Sequence, residues 1–390
     1  MLNPALSLVM RTRRRVAVLV LLSIVAAAVP YAPLPAQSPP SSLPDRLADT
    51  TYWRMISEFS EPGGYFRSDN FISNETAWQM VIPELLEKIP PQGVYLGVGP
   101  EQNLTYIVNL KPRLAFIVDI RRQNLVQHLM YKAIAELSPT RADFVSLLFS
   151  RPKPADLATD ARAADLFVQF TRIPADSMLY HRTYAAVIDR LTKTHGFPLD
   201  TADRRSLEYV LSTFYAAGPG VTYSSGQAGG GFGGMRGMPS YLELMMQDDG
   251  AGMDRSFLAT EDNYQTLRDY HARNAIIPLV GNFAGPTALR RVGEYVRAHN
   301  AVVNVFYLSN VEQYLFQQGD EWFRFYTNVG TLPLDGNSTF IRSVTNRGGM
   351  GGFARAGTLM AQLTASMTET VNAFTAGQIT TYYAIISMSR

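Results

Sequence analysis

Gly97 and Gly99, within Val94-Tyr95-Leu96-Gly97-Val98-Gly99-Pro100-Glu101-Gln102-Asn103, and Asp119, closing Ala115-Phe116-Ile117-Val118-Asp119, have the types and spacing for nucleotide chemistry. Paired glycines let a backbone approach a ligand closely, and the helix expected from Glu101 offers unpaired N–H groups at its positive dipole end. Asp119 follows Gly99 by 20 positions, the spacing at which a carboxylate at the tip of the next strand reaches ribose hydroxyls. Two later segments share the strand-then-turn pattern: Gly281-Asn282-Phe283-Ala284-Gly285-Pro286 and Ser309-Asn310-Val311-Glu312-Gln313-Tyr314. Ligands of open α/β sheets sit beyond the carboxyl ends of the strands, so all these segments are expected to converge on one crevice. Each residue also has a plain structural use. The glycines permit a tight turn, Asp119 caps the next helix, Asn282 makes an Asx turn, and Glu312 is a first-turn carboxylate.

The elements that must position these residues alternate between strand and helix. Apolar runs predict strands at Val94–Val98, up to Asp119, at Ala275–Val280 and at Val302–Leu308. Helices are expected from about Glu101, over Arg122–Leu137 and over Thr287–His299. Before them, Trp78, Val81, Leu85 and Ile89 recur at helical spacing, Ser73 reads as an N-cap with Glu75 in the first turn, and Pro83 starts or kinks a helix. One more strand is expected near Phe323–Tyr326 and a helix over Thr358–Ala376. The reading is a doubly wound, Rossmann-like sheet in two halves, 51–138 and 263–345, separated by a mostly helical insertion over 139–262. The insertion contains the glycine-rich Gly229–Met238, and residues 346–390 hold a second cluster, Gly348–Gly352, and a tail. Such clusters are slack loops or covers over a substrate.

Several chemistries are disfavoured. Gln102 stands where a dinucleotide fingerprint needs its third glycine, and no Lys-Ser or Lys-Thr pair follows the turn to make a phosphate loop. Five histidines without paired spacing suggest no metal site. A formal charge of +2, with Arg11, Arg13, Arg14 and Arg15 all near the N-terminus, makes no field for nucleic acid. Hydrophobic residues at 46% and charged residues at 17% are those of a folded globular chain.

The turn Leu96-Gly97-Val98-Gly99-Pro100, Asp119 as a ribose carboxylate, and Val280-Gly281-Asn282-Phe283 in the position of the turn after a fourth strand resemble the class I S-adenosylmethionine-dependent methyltransferase core. In particular the chain resembles an uncharacterised bacterial family with a methyltransferase-like domain. The likeness covers about Thr76–Leu137 and Ala275–Tyr314. It departs at Tyr95-Leu96, where an acidic residue often precedes the turn, at Glu101, in place of a third glycine, and in having no Asn-Pro-Pro-Tyr-like motif. The resemblance implies a methyltransferase-like fold, S-adenosylmethionine as cofactor, a nucleoside-type small-molecule ligand, and methyl transfer to an acceptor. It implies that Tyr65 and Phe66 stack on an adenine that Asp69 or Asn70 bonds. Gly97, Gly99, Glu101, Asn103, Asp119 and Asn282 would hold the cofactor, and Asn310 and Tyr314 the substrate. Glu312 is the first candidate for a base and His128 the second, while His195 before Gly196 reads as a helix terminus.

Residues 1–37 run from basic (to Arg15) through apolar (Val16–Val29) to Pro/Ala-rich (to Gln37), the order of a signal peptide, with an uncleaved anchor as the alternative. A Pro/Ser-rich linker, 38–50, follows. The expected location is therefore periplasmic or in the cell envelope, with membrane contact only through an uncleaved N-terminus. The chain has no cysteine, which excludes a lipid-modified cysteine and disulfides. Export conflicts with a cytosolic donor. The conflict is resolved by an inactive binding or structural module on the same fold, by twin-arginine export of a loaded protein through Thr12-Arg13-Arg14-Arg15-Val16, or by a cytoplasmic protein whose first residues only mimic a signal.

Overall fold

A computed structural model describes residues 42–224, 238–345 and 360–390. Residues 1–37 and the glycine clusters, apart from Met238, lie outside the described residues. Helix α1 (Asp49–Phe59) is followed by a long irregular segment and by α2 (Ile82–Lys88), which carries Pro83 in its first turn, where a missing N–H costs nothing. Then come β1 (Val94–Gly97), α3 (Gln102–Leu110), β2 (Leu114–Asp119) and α4 (Arg122–Leu137). The crossover to the next strand is helical: α5 (Arg141–Phe149), α6 (Ala163–Arg172), α7 (Ser177–Asp189), α8 (Thr201–Ala217), α9 (Tyr241–Met245) and α10 (Glu261–Ala272). The chain then forms β3 (Ile276–Val280), α11 (Ala288–Ala298), β4 (Val303–Ser309), α12 (Val311–Leu315), α13 (Glu321–Val329), β5 (Thr339–Thr345), β6 (Met360–Ser366), α14 (Met367–Thr375) and α15 (Tyr382–Ile386).

The six strands form one sheet in the order β3-β2-β1-β4-β5-β6, parallel except for β6, which runs antiparallel to β5. This is an α/β architecture of the Rossmann-like kind, and the strand order reverses between β1 and β4. The inner strands are apolar runs buried on both faces, as parallel strands covered by helices must be. Helix α4 buries Leu125, Leu129 and Ile134, while Leu137 is half-buried. It packs against β3, α8 and α10, so it is covered on almost every side. The helical insertion has no separate core: Phe144, Phe149, Phe167, Phe214 and Tyr241 join the same apolar cluster as β1 and β2. No helix of the described residues is long and apolar enough to cross a membrane.

The structure corrects several expectations. Phe323–Tyr326 is helical, inside α13, and its buried residues Phe325, Tyr326, Asn328 and Val329 follow a helical spacing that the aromatic run disguised. Thr358–Ala376 is not one helix. Met360–Ser366 pairs with β5, and the helix starts only at Met367, capped by the Ser366 side chain on the Glu369 N–H. Met, Ala, Gln and Leu favour a helix locally, but the edge of β5 supplies a ladder that outweighs this preference. Ser73 caps no helix: its hydroxyl accepts from the Glu75 N–H within an irregular turn. Gly281–Phe283 follows β3, an edge strand, so the turn after the strand beside β1 is Ser309–Val311.

Candidate functional site

A cavity of about 190 Å³ lies at the carboxyl ends of the central strands. Its wall is built from Val98–Pro100 after β1, Asp119–Arg121 after β2, Gly281–Phe283 after β3 and Ser309–Val311 after β4. The irregular segment between α1 and α2 closes it with Tyr65, Phe66, Asn70 and Ile72 to Glu75. Backbone bonds from Glu61 N to Val280 O and from Gly64 N to Ile120 O, both 2.8 Å, lay that segment across the tips of β3 and β2.

The glycine turn is held from below. Asn103 Nδ2 donates to the carbonyls of Val98, Gly99 and Pro100 at 2.9, 3.1 and 2.8 Å, and Tyr95 Oη donates to Asn103 Oδ1 at 2.9 Å. A Cβ on Gly97 would fall 2.0 Å from Asn103 Oδ1, so Gly97 makes room for this clamp rather than for a ligand. Gly99, with φ +79°, turns the chain and lines the cavity. His128 Nε2 lies 2.9 Å from the Gly99 carbonyl. Burial holds the imidazole pKa down at about 4, so the neutral ring carries its proton on Nε2, facing an atom that can only accept. Glu101 is also structural. Its buried carboxyl accepts from Ser73 N at 3.0 Å, and burial pushes its pKa up to about 8. Neither His128, Glu101, Asn103 nor Gly97 lines the cavity.

Asp119 does line it, but it is not free. Its carboxylate accepts from the Arg121 guanidinium through Nε at 3.1 Å and Nη2 at 3.0 Å, and from the Arg121 backbone N–H at 2.9 Å. About four lone-pair positions exist on a carboxylate, so roughly one remains for a ligand. Arg121 also donates to the Asp69 carbonyl, tying the covering segment to the tip of β2. The Asp69 carboxylate faces the helical insertion, accepting from Tyr209 at 3.2 Å and Ser224 at 3.0 Å, and stays outside the cavity lining.

Asn282 lines the cavity and accepts from Ala284 N at 3.0 Å in an Asx turn, while its amide donates to Glu321 at 2.9 Å. The start of α11 is no anion site, because Glu61 already accepts from the N–H groups of Thr287 and Ala288 at 2.7 and 2.8 Å. Asn310 and Tyr314 line the opposite wall, and Tyr314 meets Phe66 edge-on at 5.5 Å. Tyr65 is 86% exposed at the rim, so it is no core anchor. Asn70 Oδ1 and Gln102 Oε1 are buried without a partner among the described residues, and both residues line the cavity.

Glu312, the expected base, lies elsewhere. Its buried carboxylate takes a two-point ion pair from Arg342 and a hydrogen bond from Tyr326, and it does not line the cavity. Glu75, a residue whose local sequence signalled only a helix start, lines the cavity along with Asp119 and Glu321. It accepts from Tyr307 Oη at 2.7 Å, from Gln362 Nε2 at 2.8 Å and from the Ser309 hydroxyl. His195 sits apart after α8's predecessor α7, bonded to Asp49 at 3.0 Å and Glu136 at 2.7 Å, with Gly196 at φ +69° ending the turn as its position suggested. Among the described residues no group of three or more His, Asp or Glu side chains is placed to hold a metal ion.

Residues 70–197 and 220–376, more than half of the chain, match the family described as Domain of unknown function (DUF7790), and the chain belongs to that family. The matched spans include Glu75, Gly99, Asp119 and Ser309. No curated protein matches the chain.

Proposed function

We propose that the cavity binds a nucleoside-type small molecule, that S-adenosylmethionine is the cofactor, and that the reaction is methyl transfer to an acceptor on a doubly wound, methyltransferase-like sheet. The observation that carries this reading is the meeting of four strand-end turns at one cavity, beside the point where the strand order reverses between β1 and β4. The residues fit the nucleoside half. Gly99 brings backbone close, Phe66 and Tyr65 offer ring faces, and Asn70 Oδ1 and Gln102 Oε1 are acceptors in need of donors. Asp119 keeps room for about one hydroxyl.

When bound, S-adenosylmethionine supplies an electrophilic methyl group on a cationic sulfur. The chain's own task is then to bind, orient and exclude water, which needs little acid–base equipment. The ring pair Phe66–Tyr314 closes one side of the cavity, and the Arg121 fork holds Asp119 in a single orientation. At about 190 Å³ the cavity is below the roughly 300–1,000 Å³ common for sites that enclose a whole drug-sized ligand. A ligand of full cofactor size therefore extends to the exposed Tyr65 at the rim.

A second reading, an inactive ligand-binding or structural module on the same fold, is favoured by the pairing of Asp119 with Arg121. Export to the periplasm or cell envelope belongs to either reading and rests on the basic–apolar–Pro/Ala order of residues 1–37. Calorimetric titration of the purified protein with S-adenosylhomocysteine and with adenosine tests the first reading. Asp119→Asn is the better variant, since Asp119→Ala would strand the Arg121 charge. Binding of both, weakened in Asp119→Asn, is the expected result. Heat from adenosine alone favours the module, and no heat from either compound removes the nucleoside reading.

A further inference from the structure

Glu75 is a cavity carboxylate that the nucleoside reading leaves without work, and unlike Glu321, which pairs with Arg324, it has no cation beside it. It is 1% exposed, and its three hydrogen-bond donors are all neutral: Tyr307, Ser309 and Gln362. Among the described residues no Lys, Arg or His lies within ion-pair distance of it. The other buried carboxylates differ. Asp119 faces Arg121, Asp203 faces Arg122, Asp249 faces Arg255, and Glu312 faces Arg342. Glu101 has no cation either, but burial raises its pKa to about 8, so at neutral pH it is mostly uncharged, and it does not line the cavity.

The surroundings of Glu75 are organised to present it. Tyr307 and Ser309 come from β4 and Gln362 from β6, so two strands fix the carboxylate of a residue borne on the irregular segment. Burial first, and the Glu75 charge second, push the Tyr307 hydroxyl well above its ordinary pKa, which keeps it a donor. Ser309 takes φ +51°, a conformation rare for a residue with a side chain, and the β4–β5 register shifts between Tyr307 and Ser309. A strained residue whose hydroxyl touches an unpaired buried carboxylate at a cavity wall is the pattern of a site kept for a ligand rather than for stability.

The two ends of the cavity therefore carry different charge. Under β2 the Asp119 charge is matched by Arg121, and under β4 the Glu75 charge is unmatched. We infer that Glu75 is a cation-recognition site, and that the ligand carries a positively charged nitrogen at the β4 end and a neutral, hydroxyl-bearing nucleoside end toward Asp119. The ligand supplies the counter-charge that the chain leaves out. The nucleoside half of this inference rests on the proposed function, but the charge assignment stands on Glu75 itself.

The test compares 5′-amino-5′-deoxyadenosine, adenosine and adenosine 5′-monophosphate by calorimetry on the full protein. The expected order is amine tightest, adenosine next and phosphate weakest, with the amine ahead by roughly tenfold or more, as a close charge pair out of bulk water allows. Glu75→Gln, which keeps the shape and removes the charge, should erase the amine's advantage over adenosine. Gln362→Lys places an ammonium beside Glu75 from the other side, and should likewise remove the preference while raising the thermal midpoint. An advantage that is absent in the natural protein, or that survives both substitutions, overturns the assignment. If no nucleoside binds, the nucleoside reading falls separately, and putrescine decides the rest. Stabilisation by putrescine over matched sodium chloride, lost in Glu75→Gln, upholds a cation site, and no stabilisation overturns it.

Discussion

Glu75 and Glu312 are two carboxylates of one protein, 1% and 2% exposed, each bonded by a tyrosine, yet they sit in regions built on opposite principles. Around Glu312, the layer between α12, α13 and β5 is filled, and Arg342 cancels the charge at two points. Around Glu75, the donors are neutral and one side opens on the cavity. A buried charge with its partner in place is inert, whereas one without a partner is costly to keep and is retained where something else completes it. The contrast shows why burial of an acid alone does not identify a working group: the partner does.

Substituting Glu312 gives the largest effect. Glu312→Ala leaves the Arg342 guanidinium buried and unpaired, and a loss of about 3–5 kcal/mol is expected for breaking such a pair from one side. Denaturant unfolding measures it, and Glu75→Gln in the same assay should move the midpoint little. Equal losses from the two would erase the distinction between the regions. Next comes the floor of the glycine turn. Asn103→Ala strips the Pro100 carbonyl and the Tyr95 hydroxyl of these bonds, while the Gly99 carbonyl keeps His128 and the Val98 carbonyl keeps Gln102, so a net loss of about 1–3 kcal/mol is expected. It should also weaken adenosine binding, although Asn103 does not line the cavity, because Gly99 loses its support. Full affinity in a folded Asn103→Ala would detach the turn from the site.

The shallowest effect is one of pH, at most about 1.4 kcal/mol for each pH unit from a single group. Burial raises the folded-state pKa of Glu101 to about 8, above its unfolded value near 4.5. Its contribution to stability is complete below the unfolded value and is lost as pH rises through the folded one. Stability should therefore fall across the range from about 4.5 to 8, and Glu101→Gln, which mimics the protonated form, should flatten that slope. A slope unchanged by the substitution would mean that another group carries it. The result would sharpen the contrast with Glu312, the buried acid whose charge Arg342 matches.

Much of the sheet was legible because parallel strands are buried on both faces and read as continuous apolar runs. Val94–Gly97, Leu114–Asp119, Ile276–Val280 and Val303–Ser309 announce themselves in this way, and the helices between them carry ordinary periodicity. The strands at Thr339–Thr345 and Met360–Ser366 did not, because both contain polar residues and depend on each other's edges. Of the candidate ligand contacts read from the sequence, Tyr65, Phe66, Asn70, Gly99, Asp119, Asn282, Asn310 and Tyr314 line the cavity, all but Tyr65, Phe66 and Asn70 at or just beyond a strand end. Gly97, Glu101, Asn103 and Asp69 support it from outside, where spacing alone cannot distinguish a side chain facing the ligand from one facing the backbone.

The chain's own sequence thus determined the α/β alternation, the strand ends and the turns that meet at the cavity, since period, apolar runs and glycine turns are local properties of a peptide. Only the tertiary structure decided which acids meet a cation. Arg121 reaches Asp119 from two residues away, but Arg342 meets Glu312 across 30 positions and Gln362 meets Glu75 across 287. Electrostatic pairing depends on distance in space and on exclusion of water, and neither is encoded in the neighbours of Glu75 along the chain.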